Sequence, residues 1–201
     1  MILITDRHRV KDIIDIVGKC LYAGLGCVML REKDLPGGRM LDMAAKLRKM
    51  TAARGAKFIV NDRVDVALAV NADAVHLGQK SFRPDDISAI IHRGMIVGVS
   101  AHDVDEAMEA ERKGADYITA SPVFQTTSKP GAETLGVEGL EKIIGRVGIP
   151  VYALGGINKE NATAIADSGA GGAAVISAIL ENSRPEEAVA ELTRSLERAI
   201  K

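Results

Sequence analysis

The sequence is poor in the residues that mark nucleic-acid-binding and disulfide-rich proteins. It has no tryptophan, three phenylalanines, three tyrosines and only two cysteines. Its 26 Lys and Arg and 27 Asp and Glu give a net charge of −1, so it lacks the basic surface that a nucleic-acid partner requires. Because Cys20 and Cys27 do not form a CxxC motif, we interpret them as reduced, buried thiols rather than metal or redox ligands.

Long hydrophobic runs are also absent. No stretch approaches the roughly 18 apolar residues of a membrane span. The charged residues 6–9 follow the apolar residues 1–5 too early for a signal peptide. We therefore expect no membrane partner and a cytoplasmic location. The composition, 47% hydrophobic and 26% charged, is typical of a soluble globular protein. Because no linker divides the chain, residues 1–201 are predicted to form a single domain.

Short apolar runs alternate with amphipathic stretches along the chain. The expected strands are residues 2–5, 27–31, 57–60, 74–77, 96–100, 117–120, 150–154 and 172–176. The expected helices are residues 10–23, 36–54, 64–70, 84–91, 104–113, 137–147, 159–167 and 185–200. Similar helix-to-strand junctions recur at residues 71–77, 114–120 and 169–176, which indicates that one supersecondary unit is reused.

The strands are too continuously apolar for a sheet with one face in solvent. Eight such strands, each followed by a helix, predict an α/β protein with the single-domain (β/α)8 TIM barrel fold. An open, doubly wound sheet is the alternative, but no GxGxxG motif follows the first strand to favour it.

Two strand-to-helix turns near the end of the chain predict a phosphate site. Residues 152–158 read YALGGIN and residues 173–179 read AAVISAI, so each apolar strand runs into small residues and then a helix. Turns of this kind leave backbone N–H groups unpaired. Two of them side by side predict a phosphate cradle, and therefore chemistry on a phosphorylated small molecule.

In a TIM barrel the chemistry lies at the carboxyl ends of the strands, and many cations and hydroxyls follow the expected strands. Arg31 and Lys33 are two residues apart at one strand end, so both can face the same side. Lys129 lies on the long loop 121–136, which is predicted to be a lid over the mouth. Solvated loop charges and a flexible surface loop are the alternatives.

Three further residues each leave two interpretations open. Asp62, beside Asn61, is either a Mg²⁺ ligand or the cap of the following helix. His76 either faces a ligand or is a core residue with its polar atoms satisfied, and we favour the core. His102 is either a general acid or base or a helix cap.

Seven short motifs occur in a fixed order along the chain. They are LREKD at 30–34, NDRVD at 61–65, VHLGQ at 75–79, GVSAH at 98–102, TTSK at 126–129, GGIN at 155–158 and VISAI at 175–179. Any one of them is a weak signal. As a series covering essentially the whole chain, they resemble the thiamine phosphate synthase family, to which the TenI-type thiazole tautomerases are related.

The resemblance implies an enzyme that joins two phosphorylated small molecules. A hydroxymethylpyrimidine pyrophosphate and a hydroxyethylthiazole phosphate would give thiamine phosphate and pyrophosphate. By this resemblance Arg31, Lys33, Lys129 and Ser100 would be catalytic, and Asp62 would bind Mg²⁺. The implied substrate-binding residues are Met29, Arg31, Lys33, Asn61, Ser100, Thr126, Thr127, Ser128, Lys129, Gly156, Ile176 and Ser177.

Two positions depart from the synthase pattern, and a third departs from the tautomerase pattern. Met29 stands where the synthase usually has Gln, which removes a polar contact. Ser81, preceded by Lys80, stands where the synthase has the Asp that is the second Mg²⁺ ligand, and a hydroxyl is a poorer ligand than a carboxylate. We therefore expect a weakened Mg²⁺ site. Pro122 lies in the segment where the tautomerase would have its catalytic His.

These departures keep three functions open: a synthase, a thiazole tautomerase, and a non-catalytic relative that binds thiamine phosphates. Retention of the cations and Asp62 favours the synthase, whereas Ser81 favours the other two. The oligomeric state is open, with a homo-oligomer among the alternatives.

Overall fold

Eight parallel strands form a closed barrel in the computed structural model of the chain, which describes residues 1–91, 94–128 and 131–197. Each strand pairs with the next one in sequence, and β8 pairs with β1. The strands are β1 (Ile2–Ile4), β2 (Cys27–Leu30), β3 (Lys57–Asn61), β4 (Ala74–Leu77), β5 (Ile96–Ala101), β6 (Tyr117–Ala120), β7 (Val151–Leu154) and β8 (Gly172–Val175). The predicted TIM barrel is confirmed, and the open sheet is wrong.

Helices follow the strands around the outside of the barrel. They are α1 (Ile13–Tyr22), α2 (Gly37–Ala52), α3 (Val64–Ala69), α4 (Pro84–Ile87), α5 (Val104–Arg112), α6 (Gly136–Ile144), α7 (Ala162–Asp167), α8 (Ser177–Leu180) and α9 (Pro185–Glu197). A 3₁₀ helix covers Arg7–Arg9. This short helix and α8 were not predicted, because one turn is too short to show a helical period. None of the helices in the described segments is long and apolar enough to cross a membrane.

Several helices are shorter than the sequence predicts, and local hydrogen bonds explain where they begin. Helix α1 starts at Ile13 rather than at residue 10, because the Asp12 carboxylate accepts the N–H groups of Ile14 and Asp15 and caps the helix. Helix α7 starts at Ala162 rather than at residue 159, because the Asn158 side chain accepts the N–H groups of residues 160 and 161 in a turn. Residues 198–200 of the last predicted helix lie outside the described residues.

The buried residues form two separate cores. Alternate residues of each strand face outward and pack against the helices, as Phe58 and Ile118 do. The intervening residues face into the barrel, where Ile4, Met29 and Ile59 belong to a second cluster. Because side chains alternate with a period of two along a strand, strands with both faces buried read as continuous apolar runs.

The base of loop 121–136 is firmly held. Its cis peptide bond joins Ser121 to Pro122. Val123 N–H donates to the Leu154 carbonyl at 2.9 Å and Phe124 N–H to the Gly155 carbonyl at 3.0 Å, so the loop continues along β7 past the end of β6. The lid itself stays a prediction, and Lys129 and Pro130 lie outside the described residues.

Candidate active site

A cavity of about 760 Å³ opens at the carboxyl ends of the strands. This volume suits a small-molecule site. Most of the predicted site residues line the cavity: Met29, Arg31, Lys33, Asn61, Asp62, Ser81, Ser100, Thr126, Ser128, Gly156, Ile176 and Ser177. Thr127 is described but is not among the lining residues, so its predicted place in the site is not supported. Lys129 lies outside the described residues, and its predicted role stays a prediction.

Side-chain cations line the cavity beyond β2 and β4. Arg31, Lys33 and Lys80 all contribute to this wall. The intervening Glu32 turns the other way, is 4% exposed and accepts the backbone N–H of Arg7 at 3.0 Å. Arg31 is itself anchored, because its N–H donates to the Thr5 hydroxyl at 2.9 Å. The predicted convergence of Arg31 and Lys33 is therefore confirmed, and a buried carboxylate between them fixes it.

Asp62 links the ends of β3 and β4. Its Oδ1 accepts the Gly78 N–H at 2.8 Å and its Oδ2 accepts the Asn61 side-chain amide at 2.7 Å. The backbone of Asp62 has φ +61°, a left-handed conformation that is rare for a residue other than glycine. Helix α3 is preceded by Arg63 and has no side-chain cap. The helix-cap interpretation of Asp62 is thus wrong, and its carboxylate stays at the cavity wall.

The donor set at this wall decides what metal the site can hold. In the described part of the chain, no group of three or more His, Cys, Asp and Glu side chains could hold a metal ion. Mg²⁺ in phosphate-handling sites needs one or two carboxylates and takes its remaining ligands from phosphates and water. Asp62, with the Ser81 hydroxyl in the same cavity, therefore fits Mg²⁺ only together with a phosphorylated ligand.

Backbone groups beyond β7 and β8 form another part of the wall, separate from the cations that follow β2 and β4. Gly155 and Gly156 line the cavity together with Ile176 and Ser177. Helix α8 starts at Ser177. The N–H groups of Ile179 and Leu180 donate to the Ile176 carbonyl, which leaves those of Ser177 and Ala178 at the start of the helix. Backbone therefore lies at the cavity wall where the cradle was predicted, and phosphate binding there stays a prediction.

The reason for the two glycines is a contact with protein. A Cβ on Gly156 would lie 2.3 Å from the Gln125 carbonyl oxygen, and a Cβ on Gly155 would lie 2.8 Å from Pro122. Both glycines also have positive φ, at +104° and +65°. Any side chain at either position would push the base of loop 121–136 away, so the pair serves the packing of this loop against β7.

A polar cluster forms the cavity floor between β4, β5 and β6. His76 is 2% exposed, and its Nε2 lies 2.9 Å from Ser100 Oγ and 3.2 Å from Thr119 Oγ1. Its Nδ1 lies 3.1 Å from the Tyr117 hydroxyl. Burial lowers the pKa of His76 to about 4, so its imidazole is neutral near pH 7. Both interpretations of His76 apply in part, because its ring nitrogens have hydrogen-bond partners and the residue also lines the cavity.

Two more polar networks surround the mouth. His102 Nδ1 lies 2.8 Å from the Glu106 carboxylate, which also accepts the Gln79 amide at 2.9 Å. Asp103, rather than His102, caps helix α5, so the helix-cap interpretation of His102 is wrong. On the other side of the mouth, Arg9 donates to the Ser128 hydroxyl at 3.2 Å and connects the loop to the start of the chain.

Sequence reasoning missed several residues of the cavity. Thr119 and Ser121 flank the end of β6, and Phe82 and Asp86 lie on or near the start of α4. Thr119 could have been found, because it alternates with the outward-facing Ile118 along β6. Phe82 had no corresponding signal in the sequence, because a residue in a loop is not part of a repeating pattern of inward and outward side chains.

Cysteines take no part in this site. Cys20 and Cys27 are free, and neither lines the cavity within the described residues. Burial raises the pKa of each thiol to about 12, so neither forms a thiolate near pH 7. Cys20 is buried as predicted, whereas Cys27 is only partly buried, and the reduced state of both thiols stays a prediction.

The fold and the site together define the class of the protein: a TIM barrel whose mouth carries side-chain cations and backbone N–H groups, both of which suit a phosphorylated small molecule.

Comparison with known proteins narrows this class. The family model described as thiamine monophosphate synthase matches residues 1–179. A thiamine-phosphate synthase of Pyrococcus furiosus is 42% identical over 198 residues, which cover 98% of this chain and 95% of that protein. A second, from Clostridium acetobutylicum, is 39% identical and covers 89% of this chain and 85% of its own length.

The solved structures agree. The thiamine phosphate pyrophosphorylase from Pyrococcus furiosus superimposes with a TM-score of 0.93 at 40% identity, covering 100% of this chain and 96% of that one. The chain belongs to the thiamine monophosphate synthase family.

Proposed function

We propose that the protein is a thiamine-phosphate synthase, which joins a hydroxymethylpyrimidine pyrophosphate to a hydroxyethylthiazole phosphate. The observation that carries the proposal is a cavity with anion-binding groups at two places on its wall. Arg31 and Lys33 face it beyond β2, and the backbone around Gly156 and Ser177 faces it beyond β7 and β8. The two substrates bring phosphate groups at two places, and relatives named thiamine-phosphate synthase support the same function.

The reaction needs little proton transfer from the protein. The bond between the pyrimidine methylene carbon and the pyrophosphate oxygen breaks, and its electron pair leaves with the pyrophosphate. The lone pair of the thiazole nitrogen then forms the new carbon–nitrogen bond to the pyrimidine methylene. The protein therefore has to stabilise the negative charge on the leaving group and to align the two rings.

Each wall of the cavity has a task in this scheme. Arg31 and Lys33 would neutralise the pyrophosphate, with Asn61 donating a hydrogen bond and Lys129 approaching from the loop. The backbone around Gly156, Ile176 and Ser177 would hold the thiazole phosphate together with the hydroxyls of Thr126 and Ser128. Ser100 on the floor would contact the pyrimidine.

We further propose that Mg²⁺ binds weakly, with the pyrophosphate. Asp62 would be its one carboxylate ligand, and the Ser81 hydroxyl or water would replace the second. When bound, Mg²⁺ supplies further neutralisation of the leaving pyrophosphate. Lys80, beside the substituted ligand position, lines the same cavity and adds positive charge where a carboxylate is missing.

The proposal is tested by mixing the two phosphorylated precursors with the protein, with and without Mg²⁺, and measuring thiamine phosphate and pyrophosphate. We expect both products in equal amounts, and more of each with Mg²⁺. Binding of the precursors without products would favour the non-catalytic relative. Isomerisation of a carboxylated thiazole phosphate, without coupling, would favour the tautomerase and contradict the proposal.

A further inference from the structure

The polar cluster on the cavity floor includes buried residues that lie behind the side chain available for substrate contact. Ser100 lines the cavity and can touch a ligand. Behind it His76, which is 2% exposed, and Tyr117, which is 6% exposed, continue the chain of hydrogen bonds into the barrel. The strand register produces this chain, because Gly98 pairs with both His76 and Tyr117, and Ser100 pairs with Thr119.

Gly98 provides the space that the arrangement needs. A Cβ at this position would lie 2.0 Å from the Tyr117 ring, so only glycine lets the ring lie across β5. Gly98 has no positive φ, and conformational freedom is therefore not the reason for it. The tyrosine ring is held in place by Gly98 on one strand and by an edge-on contact with the Tyr152 ring, 5.6 Å between centroids.

The direction of the hydrogen bonds follows from counting protons. His76 has the Tyr117 hydroxyl beside Nδ1 and the hydroxyls of Ser100 and Thr119 beside Nε2. Burial raises the pKa of Tyr117, so its phenol keeps its proton. If His76 Nδ1 carried the hydrogen, the Tyr117 proton would have no acceptor among the described residues. A buried donor without a partner costs about 1–3 kcal/mol. The Tyr117 hydroxyl therefore donates to Nδ1, and the ring hydrogen is on Nε2.

This assignment determines what Ser100 can do. Its oxygen accepts the Nε2 hydrogen of His76 at 2.9 Å and lies 3.4 Å from the Thr119 hydroxyl, which donates to it. With two donors on its inner side, Ser100 has its own proton left for the cavity. Ser100 therefore meets a ligand as a hydrogen-bond donor and requires an acceptor atom there.

We propose that Tyr117 and His76 are positioning residues that fix Ser100 as a hydrogen-bond donor to a ring nitrogen of the pyrimidine substrate. The identity of the ligand rests on the proposed function. The thiazole nitrogen is not the acceptor, because its lone pair must stay free to form the new bond. A pyrimidine ring nitrogen has a lone pair in the ring plane and no hydrogen, and so it matches a floor that offers a donor.

The first test needs no substrate. The ¹⁵N chemical shifts of His76 in the unliganded protein report which ring nitrogen carries the hydrogen. We expect the hydrogen on Nε2 near pH 7, and we expect Tyr117→Phe to shift the Nδ1 signal because it removes the donor. A hydrogen on Nδ1 in the unsubstituted protein would overturn the proposed direction of the hydrogen bonds from Tyr117 through His76 to Ser100.

The second test measures ligand preference. Binding of the pyrimidine pyrophosphate is compared with binding of an analogue in which the contacted ring nitrogen is replaced by C–H. We expect the unsubstituted protein to prefer the natural ligand by about tenfold, the factor for one hydrogen bond. Ser100→Ala and Tyr117→Phe should lose most of this preference, while KM for the thiazole phosphate should stay unchanged in Tyr117→Phe.

Tyr152→Phe is the matched control. Tyr152 lies beside Tyr117, but its hydroxyl has no hydrogen-bond partner among the described residues, and it does not line the cavity. It should keep the ligand preference. Equal loss in both phenylalanine variants would mean that barrel packing alone is responsible. If no thiamine phosphate forms at all, the proposed function fails. The NMR measurement still decides which ring nitrogen of His76 carries the hydrogen, and so tests the hydrogen-bond directions independently.

Discussion

The layer between strands and helices and the interior of the barrel are both buried, but they are built differently. The outer layer is made of apolar side chains such as Phe58 and Ile118. The interior combines an apolar cluster around Ile4 and Met29 with hydrogen-bonded polar residues at its upper end. Apolar packing supplies stability wherever the volume is filled, whereas a ligand also needs directed polar groups. Both faces of the strands therefore contribute apolar packing, and the inward face also carries the directed polar groups.

The largest expected effect lies in the outer layer. Phe58, 0% exposed, faces the helices from β3. Phe58→Ala should lower the free energy of unfolding by about 3–5 kcal/mol, through lost burial and a cavity. Denaturant unfolding measures this change. KM for both substrates should stay unchanged at temperatures where the variant is folded; a large rise in KM without a loss of stability would contradict the separation of the two faces.

Removing a cation from the cavity wall should instead lower activity and leave stability nearly unchanged. Arg31→Ala should lower kcat/KM by about 10²–10³, as expected when one group that stabilises developing charge is removed. The thermal unfolding midpoint should change little, because the guanidinium lines the cavity and not the core.

Arg112 provides the control for this prediction. It is an exposed arginine on α5 that pairs with Glu109 and does not line the cavity within the described residues. Arg112→Ala should retain activity. Similar losses of activity in both variants would show that activity depends on the net charge of the protein and not on the position of Arg31 in the cavity.

The polar end of the interior should make stability depend on pH. Burial lowers the pKa of His76 to about 4 from an ordinary 6.5, while Asp62 raises it and Arg31 lowers it by smaller amounts. Below pH 6.5 the unfolded chain binds a proton at His76, whereas the folded protein binds it only near pH 4. The free energy of unfolding is therefore highest above pH 6.5, and it decreases by about 3 kcal/mol as the pH falls from 6.5 to 4.

This dependence is measured by unfolding in denaturant across the same pH range. His76→Gln replaces the titrating imidazole by a neutral amide that can still form hydrogen bonds, so the stability of this variant should fall less steeply between pH 6.5 and 4. Parallel pH curves for the two proteins would mean that His76 does not titrate as its burial requires.

The smallest expected effect concerns the metal. Ser81→Asp should tighten Mg²⁺ binding in the presence of pyrophosphate by about tenfold, because a carboxylate is added to the cavity wall next to Asp62. Isothermal titration with Mg²⁺ and pyrophosphate measures the change. Ser81→Asn, similar in size but uncharged, should leave the affinity nearly unchanged, and equal gains in both variants would argue against a second carboxylate position.

Much of the site could be predicted because it follows directly from the strand ends. Arg31, Lys33, Asn61 and Ser100 all follow or end strands whose limits the hydrophobic pattern marks to within one residue. The carboxyl ends of parallel strands meet at one end of the barrel, so their order in the chain is enough to bring them together. The helix starts were predicted less well, since they depend on side-chain caps such as Asp12.

Local periodicity and short motifs were enough to predict the barrel, the end at which the site lies and the family. The direction of the Ser100 proton and the reason for glycine at residues 155 and 156 came from contacts between distant parts of the chain. Tyr117 and His76 are 41 residues apart, and His76 and Ser100 are 24 apart. Their contact depends on the register of three neighbouring strands, which closure of the barrel fixes and no local pattern reveals.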